Sequence, residues 1–168
     1  MSVRCFFLPL LALVLLLAGC AITPPYEYHY IPNRTAIVAN GIAYAPPLAP
    51  PIVRDAIAAG NQIAGMPYRY GGGHGSFCDS AYDCSGSTSY VLHAIGRLRT
   101  PMPSGAFRSY GESGYGRWIT IYARRGHVFL VVAGLRFDTG WDGGDHGPRW
   151  TTESRRNDHA ALRHPAGL

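Results

Sequence analysis

The sequence predicts an α+β fold in which helices come first and an antiparallel sheet follows. Apolar residues recur at helical spacing between Ile52 and Gly65, whereas runs typical of strands, separated by short turns, occupy the stretch from Arg117 to Thr139. Helical and strand patterns that are segregated along a chain favour α+β over a parallel α/β arrangement. The region has room for one modest core and no second domain.

The first predicted helix lies between Ile52 and Gly65. Its apolar positions fall on one face: Ile52, Val53, Ala56, Ile57, Ala59 and Ile63. Gly65 and then Pro67 end the pattern, as these residue types commonly end helices. We expect this segment to be the first helix of the domain.

A second helix is predicted to begin at Cys84. Tyr90, Val91, Ala94 and Ile95 recur at helical spacing, and Asp83 directly before the cysteine is a residue type that caps helices. A cysteine reacts as the thiolate, which is favoured by a helix N-terminus and by a nearby imidazole. The pattern therefore indicates a cysteine nucleophile facing the positive end of a buried helix.

Three strands are predicted after this helix. They are 118–122, 127–132 and 135–139, with a turn at 124–126 between the first two. The second strand begins with His127, which follows Gly126. An imidazole at a strand start can reach a cysteine at a helix start only through the fold, and together they would form a nucleophile and base.

The N-terminus resembles a bacterial lipoprotein signal. Arg4 precedes an apolar stretch that ends in Leu17-Ala18-Gly19-Cys20, which is too short to favour a membrane-spanning helix. The resemblance implies cleavage after residue 19 and a lipid on Cys20, and an ordinary cleaved signal or an uncleaved anchor is the alternative. Ala21 differs from the aspartate that retains lipoproteins in the inner membrane, so in a Gram-negative cell we expect the periplasmic face of the outer membrane.

The chain divides into four segments on this interpretation. Residues 1–19 form the signal, 20–51 a lipidated, proline- and tyrosine-rich tether, 52–150 the catalytic domain and 151–168 a poorly ordered tail. An alternative for the tether is that 35–39 forms a strand packed on the domain. The Asp142–Gly147 segment is predicted to be a loop with too few acids for a calcium site.

Composition is compatible with an exported protein that acts on an acidic polymer. The chain has fifteen basic residues, all of them arginine, against ten acidic ones. A mild positive field would concentrate an anionic substrate, although it could equally serve solubility. Aromatic residues do not interleave with a basic stripe, so we expect no nucleic-acid partner.

Three motifs together resemble the NlpC/p60 family of cell-wall cysteine peptidases. They are Pro67-Tyr68-Arg69-Tyr70-Gly71-Gly72, Asp83-Cys84-Ser85-Gly86 and Gly126-His127-Val128, in that order. The similarity covers roughly Ile52 to Trp150. It implies a papain-like fold and hydrolysis of an amide in the peptidoglycan stem peptide or cross-link, without a cofactor and by a monomer.

The resemblance also implies roles for individual residues. Cys84 would be the nucleophile, His127 the base, and the Tyr68 hydroxyl would help to hold the oxyanion, although packing is an alternative for Tyr68. The family commonly has histidine, asparagine or glutamine as the third residue, which orients the imidazole. Here a gapless alignment favours Thr139, while Asp138 has the better chemistry.

Four alternatives remain open at the sequence level. A backbone carbonyl or His146 could orient the imidazole instead. Cys78 could pair with Cys84 in an oxidising compartment, although a free Cys78 is favoured. His74, Cys78, Cys84 and His127 could bind zinc, but their spacing is atypical. A peptidoglycan-binding lipoprotein with a degenerate site is the alternative to an enzyme.

Overall fold

A computed structural model describes residues 23–140, 146–156 and 159–168. The predicted signal, Cys20 and most of the Asp142–Gly147 loop lie outside the described residues. Among the described residues, no helix has the length and apolar character needed to cross a bilayer.

Two helices precede the main sheet, as the apolar spacing predicts. α1 spans Pro51–Ile63 and α2 spans Cys84–Ala94. Pro51 suits the first turn of α1, because its missing N–H would have had no helical partner there. The buried side of α1 carries Val53, Ala56, Ile57 and Ile63, which is the predicted face.

The described strands form a hairpin and a six-stranded sheet. The hairpin pairs β1 (Ile37–Ala39) with β2 (Ile42–Tyr44). The sheet strands are β3 (Glu112–Ser113), β4 (Ile119–Arg124), β5 (His127–Val132), β6 (Leu135–Asp138), β7 (Arg149–Thr151) and β8 (Ala161–His164). All pairings are antiparallel, in the order β3-β8-β4-β5-β6-β7. The α+β fold class is confirmed.

The main core lies between the helices and one face of the sheet. Val128, Leu130 and Val132 alternate along β5 and are fully buried against this core. The opposite face is covered by a smaller cluster that includes Tyr26, Tyr122, Phe129 and Ala160. Both faces of the central strands are therefore buried.

Part of the predicted tether packs on the domain. Tyr26, Ala36 and Ala43 are buried, and Tyr26 pairs with Arg155 through two backbone hydrogen bonds of 2.8 and 3.0 Å. The strand alternative for 35–39 is thus the better description of that segment. A proline-rich composition favours extended backbone, and extended backbone can also pair with the edge of a folded domain.

The C-terminal segment is a structural part of the sheet rather than a disordered tail. β8 lies between β3 and β4, and Leu168 is buried, with its carbonyl oxygen accepting a 2.7 Å hydrogen bond from the Trp118 N–H. The segment is short and rich in arginine, so its strand pattern is weak. Pairing with β4 supplies the order that local propensity does not.

Candidate active site

Cys84 occupies the first position of α2, at the helix N-terminus. The Asp83 side chain caps this helix, since its Oδ1 accepts a 2.7 Å hydrogen bond from the Gly86 N–H. The unpaired N–H groups and the helix dipole at this end favour negative charge. Cys84 is half-buried, so its thiol lies at a position that stabilises an anion without being sealed from substrate.

The glycine-rich motif packs directly against this helix start. Oδ2 of Asp83 accepts a 3.0 Å hydrogen bond from Gly71 N–H, and the Asp83 N–H donates to the Gly72 carbonyl oxygen at 3.2 Å. Asp83 therefore joins two of the three sequence motifs. Its buried carboxylate fixes the loop that carries Tyr68 relative to Cys84.

His127 is the first residue of β5 and is oriented by Asp138. The imidazole Nε2 lies 2.8 Å from Oδ1 of Asp138, whose side chain is fully buried. A carboxylate accepts hydrogen bonds only, so this contact places the proton of neutral His127 on Nε2. The other nitrogen, Nδ1, then has the lone pair that can take a proton from a thiol.

The environment of His127 favours its protonated form. Burial by itself lowers the pKa of His127, but the hydrogen bond with Asp138 and the interaction with Cys84 outweigh it, and the net effect is a raised pKa. Cys84 and His127 line the same small cavity, so the thiol and the imidazole lie side by side at the candidate site. An imidazolium stabilised in this way can in turn stabilise a thiolate.

The side chain that contacts the His127 imidazole is that of Asp138. The expectation that favoured Thr139 as the orienting residue is wrong in this geometry. β5 and β6 pair Leu130 with Phe137 and Val131 with Arg136. The same register sets Asp138 opposite Phe129. Phe129 and His127 are two residues apart on β5, so their side chains and that of Asp138 lie on the same face of the sheet. Thr139 falls on the other face, and its N–H donates to Oδ1 of Asp138 at 2.8 Å.

Two arginines hold the other oxygen of Asp138. Oδ2 lies 2.9 Å from Nη1 of Arg155 and 3.2 Å from Nη1 of Arg136. Sequence reasoning missed both arginines. The alternation along β6 placed Arg136 on the Asp138 face and could have indicated it, whereas Arg155 reaches the site from a segment without a recognisable pattern.

Tyr68 lies beside Cys84, the candidate nucleophile. A small cavity of about 110 Å³ is lined by Tyr68, Cys84, His127 and Arg155, among others. An adjoining cavity of about 300 Å³ is lined by Tyr68 and Cys84 together with His74. The two cavities share Tyr68, Cys84 and Gly126 as lining residues, so both open at Cys84.

His74 contacts the residues on both sides of the cysteine. Its Nε2 lies 3.2 Å from Oδ1 of Asp83 and 3.0 Å from Oγ of Ser85. His74 therefore links the glycine-rich loop to the start of α2. Its ring nitrogen contacts oxygen atoms there, and not the other members of the zinc site that the sequence offered. His146, the other candidate for orienting His127, is exposed.

The remaining alternatives concern cysteine pairing and metals. Cys78 and Cys84 are both free, and Cys78 is exposed. Within the described ranges, no group of three or more histidine, cysteine or carboxylate side chains could hold a metal ion. The arrangement at Cys84 is thus an accessible thiol with an imidazole and a buried carboxylate.

No protein-family model matches this sequence, and no characterised protein matches it by sequence. Solved structures do match by fold. RipB, a peptidoglycan hydrolase from Mycobacterium tuberculosis, matches with a TM-score of 0.54 at 20% identity over 67% of this chain and 64% of RipB. RipA, a resuscitation-promoting-factor interacting protein, matches with a TM-score of 0.52 at 20% identity over 68% of this chain and 62% of RipA.

RipD from the same bacterium is described as a non-catalytic NlpC/p60 domain protein adapted to peptidoglycan binding. It matches with a TM-score of 0.52 at 20% identity over 69% of this chain and 98% of RipD. This chain spans somewhat less than two thirds of the RipA and RipB chains. The likeness shows that the chain has the papain-like NlpC/p60 fold.

Proposed function

We propose that this protein is an NlpC/p60-type cysteine endopeptidase that hydrolyses an amide bond in the peptidoglycan stem peptide or cross-link. The observation that carries the proposal is the 2.8 Å contact between His127 and buried Asp138, with Cys84 in the same cavity at a helix N-terminus. Nucleophile, base and orienting group are the three parts that thiol-dependent acyl transfer needs.

The reaction begins with transfer of the Cys84 proton to Nδ1 of His127. The thiolate attacks the amide carbonyl carbon, and the negative charge moves to the carbonyl oxygen, which the Tyr68 hydroxyl stabilises in this mechanism by donating a hydrogen bond. His127 then gives its proton to the leaving amine, and a thioester on Cys84 remains. Water, deprotonated by His127, hydrolyses the thioester and restores the thiol.

Peptidoglycan as substrate is supported by the fold shared with RipB and RipD and by the excess of arginine over acidic residues. Stem peptides carry several carboxylates, and a positive surface raises their local concentration. The bond that is cut lies either in the stem peptide or in the cross-link. The mass of the products identifies the bond.

The second candidate is a protein that binds peptidoglycan without cutting it. Two observations favour it. RipD has the same fold and is described as non-catalytic. Asp138, which contacts His127, also differs from the histidine, asparagine or glutamine usual at this place in the family. An intact Cys84 next to His127 favours hydrolysis. Each candidate predicts binding to sacculi, but only the enzyme releases fragments.

The decisive experiment is release of soluble muropeptides from purified sacculi under reducing conditions. The protein without residues 1–19, with Cys20→Ser, is compared with the same protein carrying Cys84→Ala, and Cys78→Ser is the matched control for a lost thiol. We expect release by the parent and by Cys78→Ser alone. Sacculus binding by all three without release would overturn the enzyme and establish the binding protein.

We further propose that Cys20 carries a lipid that anchors the protein in the cell envelope, at the periplasmic face of the outer membrane if the cell is Gram-negative. The signal-like N-terminus supports this. Labelling of cells with a radioactive fatty acid is expected to mark the parent and not Cys20→Ser. Equal labelling of both proteins would disprove the anchor.

A further inference from the structure

Arg155 contacts the group that orients the base, and it comes from outside the segment that carries the motifs. We propose that Arg155 is a positioning residue that clamps the Asp138 carboxylate and offsets its negative charge, so that His127 can release a proton as well as accept one. The role in turnover rests on the proposed peptidase function. The electrostatic role can be measured without turnover.

The two oxygens of Asp138 have separate partners. Oδ1 accepts from His127 and from the Thr139 N–H, both at 2.8 Å. Oδ2 lies 2.9 Å from Nη1 of Arg155 and accepts a 3.2 Å hydrogen bond from Nη1 of Arg136. Partners on both oxygens prevent the carboxylate from rotating away from the imidazole, because rotation would break charged hydrogen bonds in a buried site.

Arg155 is itself held firmly. Its backbone pairs with Tyr26, its Nη1 also donates to the Gly140 carbonyl oxygen at 3.3 Å, and its guanidinium carbon lies 5.9 Å from the centre of the Phe129 ring. The side chain is only 16% exposed and lines the cavity with Cys84. The residues before α1 thus fix the position of an arginine at the candidate catalytic site.

Arg136 supplies the second positive charge at Asp138. Its side chain is fully buried, and it lies 5.7 Å from the Tyr26 ring centre and 5.8 Å from that of Phe129. Its Nε and Nη2 have no hydrogen-bond partner among the residues that the structure describes. Burial lowers the pKa of Arg136, and the charge of Asp138 counteracts this. The buried Asp138 carboxylate therefore contacts two guanidinium groups and an imidazole.

The balance of charge around His127 determines the direction of the expected effect. Among the described residues, the titratable or charged groups that line its cavity, contact it or lie opposite it on the adjacent strand are Cys84, Tyr68, Arg124, Asp138 and Arg155. Arg136 and Arg155 act on it through their contacts with Asp138. Asp138 stabilises the imidazolium, and a cation next to Asp138 weakens that effect. Loss of the Arg155 charge should raise the pKa of His127 and slow proton return to the leaving amine.

The same argument predicts a reversal when Asp138 is neutral. In Asp138→Asn, two guanidinium groups face an amide, and their charge disfavours the imidazolium that the reaction forms. Removal of Arg155 from that background relieves the repulsion. Arg155→Gln should therefore lower activity in the parent and raise it in Asp138→Asn, a sign change that a purely structural role would not produce.

The test measures His127 titration by NMR and the pH profile of muropeptide release in the full mature protein. Arg155→Gln and Arg155→Met both remove the charge, and methionine keeps an apolar stem on Phe129 if glutamine impairs folding. Arg155→Lys keeps a positive charge, and Arg99→Gln removes one from an exposed turn. We expect the neutral variants to shift His127 titration to higher pH and to lose about tenfold or more in kcat.

Two results would overturn the proposal. One is His127 titration that is the same in the parent, both neutral variants and Arg99→Gln. The other is a loss of activity on Arg155→Gln that is equally large in the parent and in Asp138→Asn. If the parent releases no muropeptides but the neutral variants still shift the His127 titration, the peptidase function fails while the electrostatic role of Arg155 stands.

Discussion

Gly86 in the first turn of α2 packs on Gly72 of the glycine-rich motif so closely that a Cβ atom on Gly86 would overlap the Gly72 carbonyl oxygen. The same carbonyl oxygen accepts the Asp83 N–H. Two motifs that are separate in sequence are thus in direct contact through their glycines. They bring Tyr68 and Cys84 together.

Gly86→Ala should destabilise the protein and reduce its activity. The added methyl group meets a backbone atom that cannot move without displacing the loop, and overpacking of this kind typically costs about 1–3 kcal/mol in the free energy of unfolding. Urea unfolding measures the loss. Gly105→Ala is the control, since a Cβ at Gly105 has open space around it. Equal stability of the two variants would contradict the packing argument.

Asp138→Asn should lower kcat strongly with a small change in KM. An amide can present its N–H₂ to Nε2 and favour the wrong imidazole tautomer, and the equivalent change in a serine protease costs about 10⁴-fold in kcat. Thr139→Val is the comparison, because the contact of Thr139 with Asp138 is made by its backbone. A larger loss for Thr139→Val than for Asp138→Asn would restore Thr139 as the orienting residue.

The raised pKa of His127 gives a defined pH dependence of stability. The folded-state pKa lies above the ordinary value of 6.5, so folding favours the protonated imidazole. Its contribution to the free energy of unfolding is complete below about pH 6.5 and is lost as the pH rises through the folded-state pKa. Urea unfolding of the parent and His127→Gln should show a difference that shrinks over this interval.

The control for this measurement is His29→Gln, which changes an exposed histidine far along the chain from the site. That variant should follow the parent at every pH. A parent that gains stability relative to His127→Gln as the pH rises would show that burial, which lowers the pKa, dominates at His127.

Removal of residues 161–168 should abolish cooperative unfolding. β8 lies between β3 and β4, so its loss exposes the edge of β4 and the apolar surface that Leu168 covers. Circular dichroism during thermal unfolding detects the change. Arg163→Gln keeps the strand backbone, loses the side-chain hydrogen bond to the Arg108 carbonyl oxygen, and should still unfold cooperatively. A truncated protein with an unchanged transition would show that β8 is dispensable.

The helices and central strands could be predicted because their signals are local. The apolar face of α1, the cap at Asp83 and the β-branched run of β5 each depend on neighbouring residues in the chain. The three motifs also predicted that Cys84, His127 and Tyr68 would share a site. In the structure, all three line one cavity.

What the sequence by itself determined was therefore the fold class, the order of the two helices and the three central strands, and the cysteine–histidine pair. Only the tertiary structure decided which residue orients His127, because the β5–β6 register sets Asp138 rather than Thr139 on the imidazole face. It also brought Arg155 to Asp138 and β8 into the sheet. These contacts join residues far apart in the chain, and no local pattern encodes a partner that distant.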